Sequence, residues 1–292
     1  MSILDEIKTS FKSGNALVKL IYINIAVFLA VKLIGVLVTI LQVNYKLAPV
    51  YWLAVTADLS SLIYKPWTLF TYMFVHKDFL HIIFNLLWFF WFGQIFLRYF
   101  NEKKLISLYI LGGLSGALLY ILAFNAFSIY NPSIPMIGAS GSVIAIVVAI
   151  SFYIPDHTIN LMFIGPVKLK YIAIGSIILD LLSITSGNAG GHIAHLGGAL
   201  FGYLYIMQMK KGKNITKGFD RFMDKIFSLF KPRPKVKVSY RKPINDLDRD
   251  IEYNKTKAAN QKDIDKILDK IAKSGYDSLS KKEKETLFKN SK

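Results

Sequence analysis

The sequence predicts an all-α, polytopic membrane protein, a bundle of six transmembrane helices with polar and basic ends. Three observations predict it. Of the 292 residues 53% are hydrophobic and the mean hydropathy is +0.39, too apolar for an ordinary water-soluble domain. The apolar residues are gathered in long runs, and at about 1.5 Å per residue the longest crosses a hydrocarbon core of about 30 Å. The basic residues behind the net charge of +17 lie mainly after Lys210, outside those runs. The chain has no cysteine. Disulfides, thiolate nucleophiles and thiolate metal sites are therefore excluded, and any nucleophile must be an oxygen.

Residues 1–16 form a polar cytoplasmic N-terminus with a short amphipathic start from Ile3 to Phe11, and a six-helix domain occupies 17–210. The first span covers about Leu20 to Leu41, too long for the core of a cleavable signal, so it reads as a signal anchor. Lys32 within it has to snorkel or face protein, as lysines near helix ends do. From Val43 to Asp78 the chain is aromatic-rich but broken by Asp58, Ser60, Ser61 and Pro66, which suits interfacial helices better than a span. A second span runs from about Phe79 to Phe96, followed by a charged turn with Arg98, Glu102, Lys103 and Lys104. The third covers about Leu105 to Phe124, with Gly112, Gly113 and Gly116 giving a face of small residues for helix contact.

The link 125–135 carries no lysine or arginine. The fourth span starts at Ser140 and is stopped by Pro155-Asp156-His157; it is short, so a water-filled depression has to meet its serine end. A hairpin-like connection (Thr158 to Lys168) precedes the fifth span, about Tyr171 to Ile184, and the sixth runs from about Gly191 to Met209. Six spans put both termini on one side. The positive turns and tail mark that side as cytoplasmic, here of a bacterial inner membrane, and the Ser140 end as outward. Residues 211–262 read as a basic cytoplasmic linker that touches anionic lipid; no aromatic-basic motif of a nucleic-acid-binding module appears. Residues 263–292 read as a small helical hairpin, with Ile264, Ile267, Leu268 and Ile271 at helical spacing and a capping box at Ser280 and Glu283.

The candidate chemistry starts at Ser140, in the small-residue stretch Gly138-Ala139-Ser140-Gly141. A hydroxyl within hydrocarbon is costly unless paired, which makes it a functional candidate, although small residues equally serve plain helix packing. Of the five histidines, His76 and His81 stand at the start of span two, with Asn85 one turn on, and His192 and His195 open span six. Span parity brings all of them to the depth of Ser140. Gly198 and Gly202 let span six press against span four. A serine needs a base because its hydroxyl is a weak nucleophile near neutral pH, so His195 is assigned as its base and acid. His81 and Asn85 share a helix face and with the Ser140 amide form a candidate oxyanion site. The zinc reading of these histidines lacks a His-Glu-x-x-His pattern. A paired-aspartate protease needs two intramembrane aspartates, and only Asp180 offers itself. No metal or cofactor is expected.

His76, His81 and Asn85, then Gly138-Ala139-Ser140-Gly141, then Ala194-His195-Leu196-Gly197-Gly198 with Gly202, in that order on spans two, four and six, resemble the rhomboid intramembrane serine proteases. The resemblance covers about Leu17 to Met209. It implies a Ser140–His195 dyad with no third acidic member, an oxyanion site from His81, Asn85 and the Ser140 amide, and supporting roles for His76, Gly138, Gly141, Gly198 and Gly202. It further implies cleavage of single-pass or other transmembrane proteins. It makes Val43 to Asp78 the family's interfacial loop, Ser183 to Gly191 a cap over the site, and span five the side through which substrate arrives. The chain departs from the family pattern at Trp67-Thr68, at Leu97 after span two and at Ile144, where an aromatic often packs on the histidine. A proteolytically silent, helix-binding relative is the alternative, which loss of the serine or histidine would mark; a transporter would be favoured by repeat symmetry between the halves, and none is apparent.

Overall fold

The computed structural model describes residues 2–42, 44–161, 164–185, 187–230 and 246–289. Two compact units result, Met1–Lys231 and Pro232–Lys292. Each expected span is a helix. A short helix α1 (Ile3–Ser13) precedes the first span, α2 (Ala16–Ile40); three short helices follow in the loop, α3 (Pro49–Leu53), α4 (Leu59–Tyr64) and α5 (Thr68–Thr71). The remaining spans are α6 (Phe79–Tyr99), α7 (Glu102–Ala126), α8 (Ser140–Tyr153), α9 (Leu169–Ser183) and α10 (Ala189–Lys210). By length and apolarity alone, α2, α6 and α7 can cross a membrane, and α8 is a shorter apolar helix. The connection at 158–168 is an antiparallel hairpin of β1 (Thr158–Leu161) and β2 (Gly165–Lys168).

The centre of the bundle is α8, with Val143 and all residues from Ala145 to Ile150 buried. It is enclosed by α7 and α10 because glycines remove the side chains between them. A Cβ at Gly198 would overlap the Gly141 carbonyl, one at Gly202 would overlap the Ala145 carbonyl, and one at Gly112 would overlap the Ala145 side chain. At Gly116 and Gly197 the obstacles are the Ala194 carbonyl oxygen at 2.7 Å and the Ser115 carbonyl oxygen at 2.6 Å. Backbones in such contact gain dispersion that lipid cannot replace, the usual basis of helix association in membranes.

Polar contacts sort the unit into two ends. At one, the Ala16 N–H donates to Glu102 at 2.7 Å, Lys210 reaches the Phe152 carbonyl at 2.7 Å, and Lys168 and Lys170 hold Asp156 at 3.0 and 2.9 Å. These two ammoniums keep the Asp156 carboxyl below its ordinary range. The other end carries Ser140. Lys32 points there and faces protein, its ammonium donating to the Lys77 carbonyl at 2.6 Å.

The loop between α2 and α6 is braced by hydrogen bonds of its own, including one at the departure Trp67-Thr68. The Trp67 indole N–H donates to the Trp52 carbonyl at 2.8 Å, Thr68 donates to the Lys65 carbonyl at 2.7 Å, and Thr71 to the Leu53 carbonyl at 2.8 Å. The Lys65 ammonium stands 4.0 Å from the centre of the Tyr51 ring, a cation–π contact suited to a membrane interface.

The stretch expected as a linker, 211–262, holds helices among its described residues. Helix α11 (Lys217–Phe230) belongs to the bundle unit. Phe219 and Met223 pack against the core, and Asp220 accepts from the Ser107 hydroxyl at 2.5 Å. Helix α12 (Asp246–Ser274) starts well before the expected boundary at 263, and 231–245 lie outside the described residues. The hairpin expected at 263–292 is the end of α12 turning into α13 (Lys281–Lys289), with Ile267 and Leu279 buried. Its capping box is present: the Ser280 N–H donates to Glu283 at 2.7 Å and the Glu283 N–H to the Ser280 hydroxyl at 3.4 Å. Hydrogen bonds from Ser280 and Lys270 hold the Glu283 carboxyl down to about 2. A depressed carboxyl stabilises the fold fully above the ordinary glutamate range, so this contribution fades only as pH falls toward 2.

Candidate active site

Helix α8 starts where the chain runs out of side chains. Gly138 has φ +129°, a conformation L side chains avoid, and a Cβ there would meet the His81 ring at 3.0 Å and the Ser140 hydroxyl at 3.5 Å. The segment entering this turn is pinned: Met136 and Val55 exchange backbone hydrogen bonds at 2.7 and 3.1 Å, and the Gly138 N–H donates to the Tyr72 carbonyl at 3.0 Å. Ala139 occupies the N-cap and no side chain caps the helix, so the N–H groups of the first turn keep their hydrogens for another acceptor. At about 1.5 Å per residue, the 14 residues of α8 span about 21 Å against a core of about 30 Å. The helix is therefore too short to cross the whole core.

A cavity of about 840 Å³ opens over this end, lined by Ser140, His195, His81, Asn85 and Asp180. Phe84 and Trp88 of α6 wall one side, Leu179 of α9 the other, and Val143 and Ile144 line it too. Ile144, the departure from the family's aromatic, is thus a cavity residue. Of the sequence-predicted residues, Ser140, His195, and His81 with Asn85 come together here from three different helices.

The hydrogen bonds fix the protons. The Lys77 N–H donates to His81 Nδ1 at 3.3 Å, so in the neutral ring the proton sits on Nε2, on the side of Gly138 and Ser140. His81 is thereby a donor toward the serine. Asn85 is buried, and its amide gives one hydrogen to the His81 carbonyl at 2.9 Å; the second hydrogen is left for the cavity. His76 is buried with its ring 5.1 Å from that of His81 and stands behind it rather than in the cavity.

His195 has an acidic neighbour that the dyad implied by the resemblance does not include: Asp180 Oδ1 lies 2.8 Å from His195 Nδ1 and 2.9 Å from His192 Nδ1. The carboxylate only accepts, so both histidines donate from Nδ1. In the neutral ring His195 Nε2 then carries no hydrogen, the form a base needs. The three ligand atoms lie within 4.8 Å of one another, a spacing a divalent ion can use, and their mutual hydrogen bonds satisfy them without one.

A family model described as the Rhomboid domain matches residues 64–211, just over half of the chain. The chain belongs to the rhomboid family. A second model, for a family of unknown function (DUF6576), matches residues 248–292, nearly the unit built by α12 and α13. RHOMBOID-like protein 12, mitochondrial, of Arabidopsis thaliana is 35% identical over 50% of this chain and 47% of its own length. Rhomboid protease GlpG of Haemophilus influenzae is 29% identical over 48% of this chain and 67% of its own, and Rhomboid protease AarA of Providencia stuartii 29% over 54% and 58%. The rhomboid described here thus spans about half the length of the Arabidopsis relative.

Proposed function

We propose that this rhomboid is an intramembrane serine endopeptidase that cleaves transmembrane helices of other membrane proteins near the outer face. The observation that carries the reading is the pairing, in one cavity, of a serine at an uncapped helix start with a histidine whose Nε2 is left bare by its Nδ1 partner. In this reading Ser140 Oγ attacks the carbonyl carbon of a peptide bond while its proton passes to His195 Nε2. The oxyanion is met by the Ser140 N–H, His81 Nε2–H and the free hydrogen of Asn85. Collapse breaks the C–N bond, and the amine leaves with the proton from His195. Water then repeats the sequence on the acyl-serine and restores the hydroxyl. A regular helix buries its carbonyls in hydrogen bonds, so the bond cut lies near small or helix-breaking residues. The cavity walls on α6 and α9 make that side the route for a substrate helix.

The membrane is taken to be a bacterial cytoplasmic membrane with both termini inside, from the charge of the turns; the names of GlpG and AarA agree with a bacterial setting, and the Arabidopsis name with a mitochondrial one. The basic residues beyond Lys210 contact anionic lipid. The test is cleavage of a single-pass model substrate by purified protein in detergent, with a small-residue, helix-breaking segment near its outer end. Wild-type cleavage supports the reading; a folded wild-type protein inert on several such substrates favours a silent helix-binding rhomboid.

Two smaller outcomes follow from the same geometry. Asn85→Ala lowers kcat about 10²-fold and leaves KM within about twofold, because its hydrogen bond is needed in the transition state; equal effects on both constants contradict an oxyanion role. Deleting Lys235 to Lys292 leaves cleavage in detergent within about twofold of wild type, since Ser140, His195, His81 and Asn85 all belong to the first unit; abolished cleavage would assign the second unit a part in activity.

A further inference from the structure

Helix α9 turns a carboxylate inward although little else of it is buried. Leu169, Ala173 and Asp180 are its buried residues, whereas Leu179 and Leu182 are 65% and 73% exposed. A carboxylate within a membrane bundle is costly and persists where it is paired and used. Asp180 is paired on one oxygen with two histidines of α10, one turn apart. From the Proposed function reading as its base, we infer that Asp180 is the positioning residue of His195, and that the seat of α9 against α10 is part of what makes the serine reactive.

Three observations carry this. The first is the proton on His195: an imidazole alone divides its proton between two nitrogens, and an acceptor at 2.8 Å from Nδ1 fixes it there. The second is orientation. Ile144 lines the same cavity where the family pattern often has an aromatic, and the ring that His195 meets is His192 at 5.9 Å, itself bound to the same oxygen. The hydrogen bond to Asp180 therefore holds the plane of the ring. The third is the burial pattern of α9. Its inner contact with α8 and α10 is apolar, Ala173 with Val148 and Ala199 and with Ile144, Phe152 and Ile177 packed beside them, contacts without the directionality of a hydrogen bond. Displacement of α9 by an arriving helix takes the carboxylate with it, so His195 is set only when α9 is seated.

His192 competes for the oxygen but touches no reacting atom. Its role is to fill the carboxylate's second lone-pair direction, which any other donor or water in the outward cavity can do.

The experiment uses the full chain in detergent with the single-pass substrate and a fluorophosphonate probe. Asp180→Asn, which keeps shape but can donate to His195 and free the wrong nitrogen, is expected to lower kcat at least tenfold with KM within twofold. It is expected to lower the rate of probe labelling in parallel, with an unchanged melting temperature. Asp180→Glu restores part of the loss, and His192→Ala keeps cleavage within threefold. An interhelical clamp without a role in positioning predicts the reverse order, the isosteric Asn near wild type and the longer Glu worse, and that result overturns the proposal. Should either variant at 180 fail to fold, nitrogen-resolved NMR of histidine-labelled wild type decides: a proton on His195 Nδ1 supports the proposal and one on Nε2 overturns it. A wild type that neither cleaves nor labels sinks the protease reading instead, and the NMR result still tells whether Asp180 sets the ring.

Discussion

Ser140→Ala and His195→Ala each abolish cleavage, with a fall of at least about 10³-fold in kcat, and the double variant is no worse than either alone. Groups that act as one unit in bond-making lose nearly everything when either is removed, so their effects do not add. Both substitutions remove small parts of the bundle. Ser140 stands at the first position of α8 without a capping role, and His195 is a partly exposed cavity residue. Melting temperatures should therefore stay within a few degrees of wild type. Substrate association, measured by pull-down with Ser140→Ala, should persist, because the walls on α6 and α9 are untouched. Multiplicative losses in the double variant would mean that serine and histidine serve separate purposes.

Gly202→Leu destabilises the bundle by about 3 kcal/mol or more and lowers activity at least tenfold. Overpacking inside a tight core costs about 1–3 kcal/mol when side chains can shift, but here the obstacle is the Ala145 carbonyl, which is backbone. Relief requires α10 to back away from α8, and α10 carries His195. Gly198→Leu does the same against the Gly141 carbonyl, one turn nearer the site. Gly175→Leu on α9 is the control: nothing stands within 4 Å of its Cβ position, and replacing a half-buried helical glycine with open space around it adds about 1 kcal/mol of helix propensity. Thermal unfolding in detergent reads all three. A Gly202→Leu protein as stable and active as wild type would show that the close approach of α8 and α10 does not set the serine–histidine geometry.

How far the sequence reaches is clearest at particular residues. Span parity brought Ser140, His81 and His195 to one depth because helix length converts directly to depth in a bilayer. The contacts of Gly198 and Gly202 with α8 followed from spacing alone. Asp180 was legible in the same way and was passed over. It lies within one turn of the end of α9, and His192 lies in the first turn of α10, so two antiparallel helices joined by a short link carry them to equal depth. Considered only as half of an aspartate pair, it lost the partner that its depth supplied. Within 211–262, lysine-rich composition masks the spacing of Phe219, Phe222, Met223 and Ile226, a helical period whose apolar face α11 lays partly on the core. Side-chain tautomers, by contrast, depend on which backbone group stands 3 Å away. The Lys77 N–H on His81 is a product of loop conformation that no local pattern announces.

The measurement that bears most directly on the enzyme reading is the site of fluorophosphonate attachment, mapped by mass spectrometry on wild type, Ser140→Ala and His195→Ala in detergent. The expected result is a single adduct on Ser140 of the wild type, absent from both variants, because only a serine deprotonated by its histidine attacks the phosphorus. Labelling of another serine, labelling of Ser140 that survives in His195→Ala, or a folded wild type that takes no probe would contradict it.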